Sequence, residues 1–166
     1  MKTKIFFFFL VFSFSAMFSF ASSKSHAGIG SSLSYSLSTS QHSFVSFTAR
    51  SDLSPWVVFF NAHFNQSVMT VFADNWFINE SLSSQLDYFV LWGISGGIRF
   101  EDEKRELATG CRFGAGVDFF CLNRRLEFFA QTVWNPYFGV KKIDKDCSLI
   151  FRPVNFPCSA GIRMWF

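Results

Sequence analysis

The chain is poor in charge. Asp, Glu, Lys and Arg make up 16% of its 166 residues, against roughly 25% in an ordinary soluble domain. The formal net charge of +3 is too small for the basic footprint of a nucleic-acid partner. Long apolar runs are also scarce. One spans Ile5 to Phe20. Beyond it, Arg, Asp, Asn or Glu interrupts every stretch before ~18 apolar residues accumulate. That excludes a later transmembrane helix. The four cysteines show no C-x2–4-C spacing, so no zinc site is indicated. A P-loop, a dinucleotide fingerprint, a nucleophile elbow and a His-Glu-x-x-His motif are all missing, as is a repeat with a 20–50-residue period. The sequence offers no catalytic set, no cofactor site and no metal site.

Aromatic residues are plentiful: 26 Phe, and 20% of the chain counting Trp and Tyr. The first run carries part of that excess. Lys2 and Lys4 precede it, and the small residues Ala21, Ser22 and Ser23 follow. This is the layout of a secretory signal peptide over 1–21, with 22–166 as the mature domain. No cysteine there allows lipoprotein-type acylation. After export, the remaining route into a membrane is a closed β-barrel.

The body has a period of two. In "LDYFVLWGISGGIRFE", Tyr88, Val90, Trp92, Ile94, Ile98 and Phe100 share one face; Asp87, Phe89, Leu91, Gly93, Ser95, Gly97 and Arg99 share the other. "LATGCRFGAGVDFFC" and "LEFFAQTVWN" repeat the pattern, and weaker versions precede them. The segments 27–38, 43–50, 55–65, 67–78, 86–100, 107–121, 126–140 and 151–166 predict eight strands. The expected fold is all-β, an eight-stranded antiparallel up-and-down transmembrane β-barrel. Its tight turns fall at 51–54, 79–85 and 122–125, and its outer loops at 39–42, 65–67, 101–106 and 141–150.

Charge sets the faces. Arg50, Asp87, Arg99, Arg112, Asp118, Glu127 and Arg163 all lie on the parity opposite the apolar one. A lipid-facing Arg near mid-membrane costs ~2–4 kcal/mol, so these side chains are expected in the lumen. A soluble barrel would instead carry Lys and Glu along its polar face. Here that face is Gly, Ser and a few ions. The expected lumen network joins Arg163 to Asp118 and Glu127, with Asp87 at a similar height and Arg112 and Arg99 further along. It reads as a plug or as a gate. Trp76, Trp134, Tyr88, Phe100, Phe119 and Phe166 are expected in interfacial girdles.

The terminal Phe166, with Met164 and Ile162 at alternate positions before it, resembles the C-terminal sorting signal of bacterial outer-membrane barrels. Size and layout resemble small barrels of the OmpX and OmpA transmembrane-domain type. "GCRFGAGVDFF", "LEFFAQTVWNP" and "AGIRMWF" resemble a pattern in small spirochaete barrels of Borrelia and Treponema. The resemblance implies a bacterial outer-membrane location. It also implies outer-membrane lipid, the barrel-assembly machinery and periplasmic chaperones as partners, and in some relatives host proteins. It brings no catalytic residues. On this basis the chain is expected to be non-enzymatic, with a structural or surface role. A narrow channel for ions or small apolar solutes, with lateral exit at Gly96, is the alternative. A lipid-modifying enzyme is the weaker one.

The outer-loop candidates for a host-facing surface are Glu101, Asp102, Glu103, Lys104, Arg105, Lys141, Lys142 and Lys145. Some eight-stranded lipid-A-modifying barrels use a His with a Ser two residues after it; His63 has Asn65 at that position, and reads better as a lone polar lumen His. Cys111, Cys121 and Cys158 share the outward parity. A Cys111–Cys147 bridge and four free thiols are both open.

Overall fold

The computed structural model describes residues 26–36, 43–63, 67–101, 104–143 and 146–166. The expected signal peptide and the 39–42 loop lie outside the described residues. So do Asp102, Glu103 and Lys145. Ten strands follow one another: β1 (Ala27–Ser36), β2 (Ser43–Ser51), β3 (Trp56–His63), β4 (Val68–Ser81), β5 (Leu86–Glu101), β6 (Lys104–Cys121), β7 (Leu126–Trp134), β8 (Tyr137–Ile143), β9 (Asp146–Arg152) and β10 (Pro157–Trp165). Among the described residues there is no helix.

Eight staves make the barrel. Tyr137 of β8 stands opposite Gly110, and Trp134 of β7 opposite Phe113, so both strands share one register on β6. They are one stave whose ladder stops at Pro136, a residue with no N–H to donate. β9 and β10 form the last stave, broken at 153–156. There the outward parity changes from odd residues to even ones. All pairings are antiparallel. β10 returns to β1, with Gly28 opposite Trp165 and Tyr35 opposite Cys158. The sheet is therefore a closed eight-stranded antiparallel barrel, in which β1 and β10 close the wall and β9 alone keeps one side unpaired among the described strands.

Several expected boundaries shift. β4 runs on to Ser81 and leaves 82–85 as the turn. The described residues of the charged stretches at 101–106 and 141–150 are strand: β5 ends at Glu101 and β6 begins at Lys104, while β8 ends at Ile143 and β9 begins at Asp146. Glu101, Lys104, Arg105, Lys141 and Lys142 therefore belong to ladders, not loops. Each hairpin pairs with itself, so backbone hydrogen bonding continues past the apolar belt into the charged residues.

Inside and outside follow the alternation. Phe44, Val57, Phe59, Phe72, Trp76, Phe89, Leu91, Phe129 and Val133 form the packed apolar part of the interior. Trp76 lies flat on Phe89, ring centroids 3.5 Å apart at 4°. This corrects the expectation of a girdle position for Trp76: it alternates in phase with Phe72 and Asp74, and so points inward. Trp134, Phe100, Phe119 and Phe166 are exposed. Tyr88 is half-buried, and its hydroxyl donates to Glu80 at 2.9 Å. Small residues make the interior fit. A Cβ on Gly161 would come 2.7 Å from the Phe129 ring.

Candidate functional site

Ionic pairs step along the lumen. Nearest the turn end, Arg124 of the 122–125 turn donates to Asp87 at 2.6 Å and lies 4.0 Å over the Phe120 ring. Leu122, Asn123 and Arg124 all have positive φ there. That conformation costs L-residues roughly 1–2 kcal/mol each. It aims the guanidinium back into the barrel mouth.

The next cluster is fully enclosed. Arg163, Glu127 and Asp118 are all 0% exposed. Arg163 stands directly opposite Glu127 in the ladder and forms an ion pair with it. Its Nε donates to Thr48 Oγ1 at 3.2 Å, and its guanidinium lies 3.9 Å over the Phe129 ring. Trp165 Nε1 donates to the other oxygen of Glu127 at 2.7 Å. Arg50 reaches in from β2, 3.2 Å from Asp118 and 3.7 Å from Glu127, and lies 4.2 Å over Trp76. Arg112 grips Asp74 bidentately at 2.6 and 3.0 Å, with Phe72 3.8 Å beneath its guanidinium. Towards the hairpin end, Arg99 and Glu106 pair at 3.4 Å.

Two of these contacts share one device. Arg112 and Asp74 are not ladder neighbours; both face Gly93. Arg163 and Thr48 both face Gly30. In each case the cation reaches across a stave that has no side chain. A Cβ on Gly93 would fall onto the Asp74 carboxylate. Buried charge is tolerated only when paired and hydrogen-bonded, and the glycines make those pairings reachable.

The expected network is therefore regrouped. Arg163 and Glu127 meet. Asp118 is held by Arg50 instead of Arg163, because Arg163 is already spread between Glu127 and Thr48. Asp87 belongs with Arg124 at the turn. Arg112 and Arg99 have separate partners in Asp74 and Glu106. Asp74, Thr48, Glu106, Arg124 and Trp165 are members that the sequence reading does not include. Asp74 carries a signal that could have found it, since it alternates with Phe72 and Trp76.

Neither a protein-family model nor a curated protein matches the chain. Among solved structures, the crystal structure of a major outer membrane protein from Thermus thermophilus is similar. Its TM-score is 0.49 at 11% identity, covering 87% of this chain and 100% of that one.

Other candidate residues fall as follows. His63 ends β3, opposite Phe44 in the ladder, and Asn65 lies outside the described residues. The four cysteines are free. Cys147 stands opposite Lys142, which faces Arg105. It is therefore level with a point six residues from Cys111, roughly 20 Å along the strand, too far for a disulfide. Gly96 gives no lateral exit: its ladder to Val71 and Thr109 is unbroken. Phe166, Met164 and Ile162 all point outward and are exposed. The backbone of Phe166 exchanges hydrogen bonds with Ala27 at 3.0 and 3.3 Å. Among the described residues no group of three or more His, Cys, Asp or Glu could hold a metal ion.

Proposed function

We propose that the chain is an integral outer-membrane β-barrel, with its hairpin end outside and its turn end in the periplasm. The observation that carries this is the charge distribution on the wall. Among the described strand residues, outward-pointing charges occur only at Glu80, Arg105 and Lys142, all near stave ends. Between them the surface is apolar and open, with Leu33 at 67%, Ile94 at 58% and Phe138 at 58% exposure. A belt of that extent on a soluble monomer would be an aggregation site. In a bilayer it is the lipid face.

The role we infer is structural or surface-directed and non-enzymatic. The enclosed Arg163, Arg112 and Arg50 pairs support a plugged lumen rather than a conducting one. At the hairpin end, β9 pairs with β8 alone among the described strands. Its outer residues Asp146, Cys147 and Ser148 are exposed on both faces. An open strand edge is a docking rail for another extended chain. That supports a host-protein partner at the surface. The same reading makes Phe166, Met164 and Ile162 the segment shown to the barrel-assembly machinery.

Refolding in detergent tests the central reading. A barrel migrates faster unheated than boiled. No shift, together with solubility in detergent-free buffer, would overturn it. Planar-bilayer recording then tests the plug, and a steady ohmic conductance from the wild type would refute it.

A further inference from the structure

The outward face of the hairpin end carries two features in register. The first is a trench of about 620 Å³ over the wall. Gly96 is its floor, and a Cβ added there would meet nothing within 4 Å. Ile98, Leu107, Val140 and Leu149 form one continuous ladder row along it, and no residue lining it is charged. The second lies one outward row higher, two residues or roughly 7 Å along the strands. There Arg105 of β6 stands directly opposite Lys142 of β8. Both are exposed, and neither makes an ion pair among the described residues. Like charges directly opposite one another destabilise a ladder. An anion between them removes that cost.

We propose that this face seats one phosphate-bearing lipid of the outer leaflet. Its phosphate lies between Arg105 and Lys142, and one acyl chain lies in the trench over Gly96. The inference rests on the membrane reading above, which puts the trench in the hydrocarbon and the basic pair at its edge. Hydrocarbon is the one occupant that an uncharged trench in that belt accommodates. The basic row above it selects the headgroup. A general lipid annulus would need neither the missing side chain at Gly96 nor the facing cations.

The test uses the refolded barrel in nanodiscs of phosphatidylcholine doped with phosphatidylglycerol. Native mass spectrometry counts the lipid retained after release. The wild type should keep one phosphatidylglycerol. Arg105→Gln with Lys142→Gln should lower its preference for that lipid roughly 25-fold, about five-fold per cation, leaving the gel shift unchanged. Gly96→Phe should remove retained lipid of either headgroup, and Gly96→Leu, a smaller plug, should weaken retention. Equal retention of both lipids by the wild type would overturn the headgroup site, as would an unchanged double variant. Full retention in a folded Gly96→Phe barrel would overturn the trench. A wild type that neither enters discs nor shifts on the gel refutes the membrane reading, and the lipid seat with it. One that enters discs and keeps no lipid refutes the lipid seat alone.

Discussion

Replacing Arg163 with methionine removes the cation that joins Glu127 to Thr48 inside the barrel. Breaking a buried pair by deleting one partner costs about 3–5 kcal/mol, because the other charge stays buried. Two contacts soften the loss here. Glu127 keeps the Trp165 Nε1 bond at 2.7 Å and has Arg50 at 3.7 Å. Methionine also refills part of the space over the Phe129 ring. The expected cost is therefore at the low end, about 3 kcal/mol, or roughly a hundred-fold in the folded ratio. Adding Glu127→Gln removes the stranded charge, so the double variant should lose only about 1 kcal/mol. Urea unfolding in lipid vesicles, followed by tryptophan emission and by gel shift, measures both. A loss under ~1 kcal/mol for the single variant would refute the network. So would a double variant as unstable as the single one. In planar bilayers, Arg163→Ala should raise conductance above wild type, since it leaves an opening where the guanidinium stood.

Arg112→Gln should cost about 3 kcal/mol by the same urea assay, because it strands Asp74, which is 0% exposed. Leu122→Gly should raise stability by about 1 kcal/mol, since Leu122 sits at φ 50° and glycine carries no Cβ penalty there; a destabilised variant would contradict that turn geometry. In intact vesicles a membrane-impermeant maleimide should label Cys147 and spare Cys111 and Cys158, which lie on the wall; equal labelling would contradict the height assigned to the belt. Deleting Phe166 should reduce the amount assembled in the outer membrane without reducing export, measured by fractionation.

Much of the wall is legible because a closed barrel writes its two faces in alternate letters. Asp87, Arg99, Arg112 and Asp118 all take the parity opposite the apolar one. In the register Asp118 lies opposite Phe129, and Glu127 opposite Arg163. The charged hairpin tips read as loops for a physical reason. Above the belt both faces are polar, so alternation fades while the ladder continues. Backbone pairing in β5–β6 and β8–β9 does not depend on which side chains it carries. Pro136 leaves a single break that shifts no register, so the stave containing it reads as one strand. The interruption at 153–156 does change the phase, and the pattern hides it.

The partners within the lumen are harder to read. Sequence parity says which side chains enter the interior. It does not say which of them can touch, because in a narrow barrel reach depends on what the intervening stave lacks. Gly93 stands between Arg112 and Asp74, and Gly30 between Arg163 and Thr48. A Cβ at Gly93 would fall onto the Asp74 carboxylate, and one at Gly30 onto the backbone of Ile162 and Arg163. Glycines in the wall are thus part of the electrostatics. A cation two staves from its acid is read from three positions at once, the two charges and the empty place between them. By that rule Asp74 belongs to the plug as soon as β4 and β5 are in register. The open side of Gly96 belongs to the opposite face, where the same absence of a side chain leaves the trench empty of protein atoms.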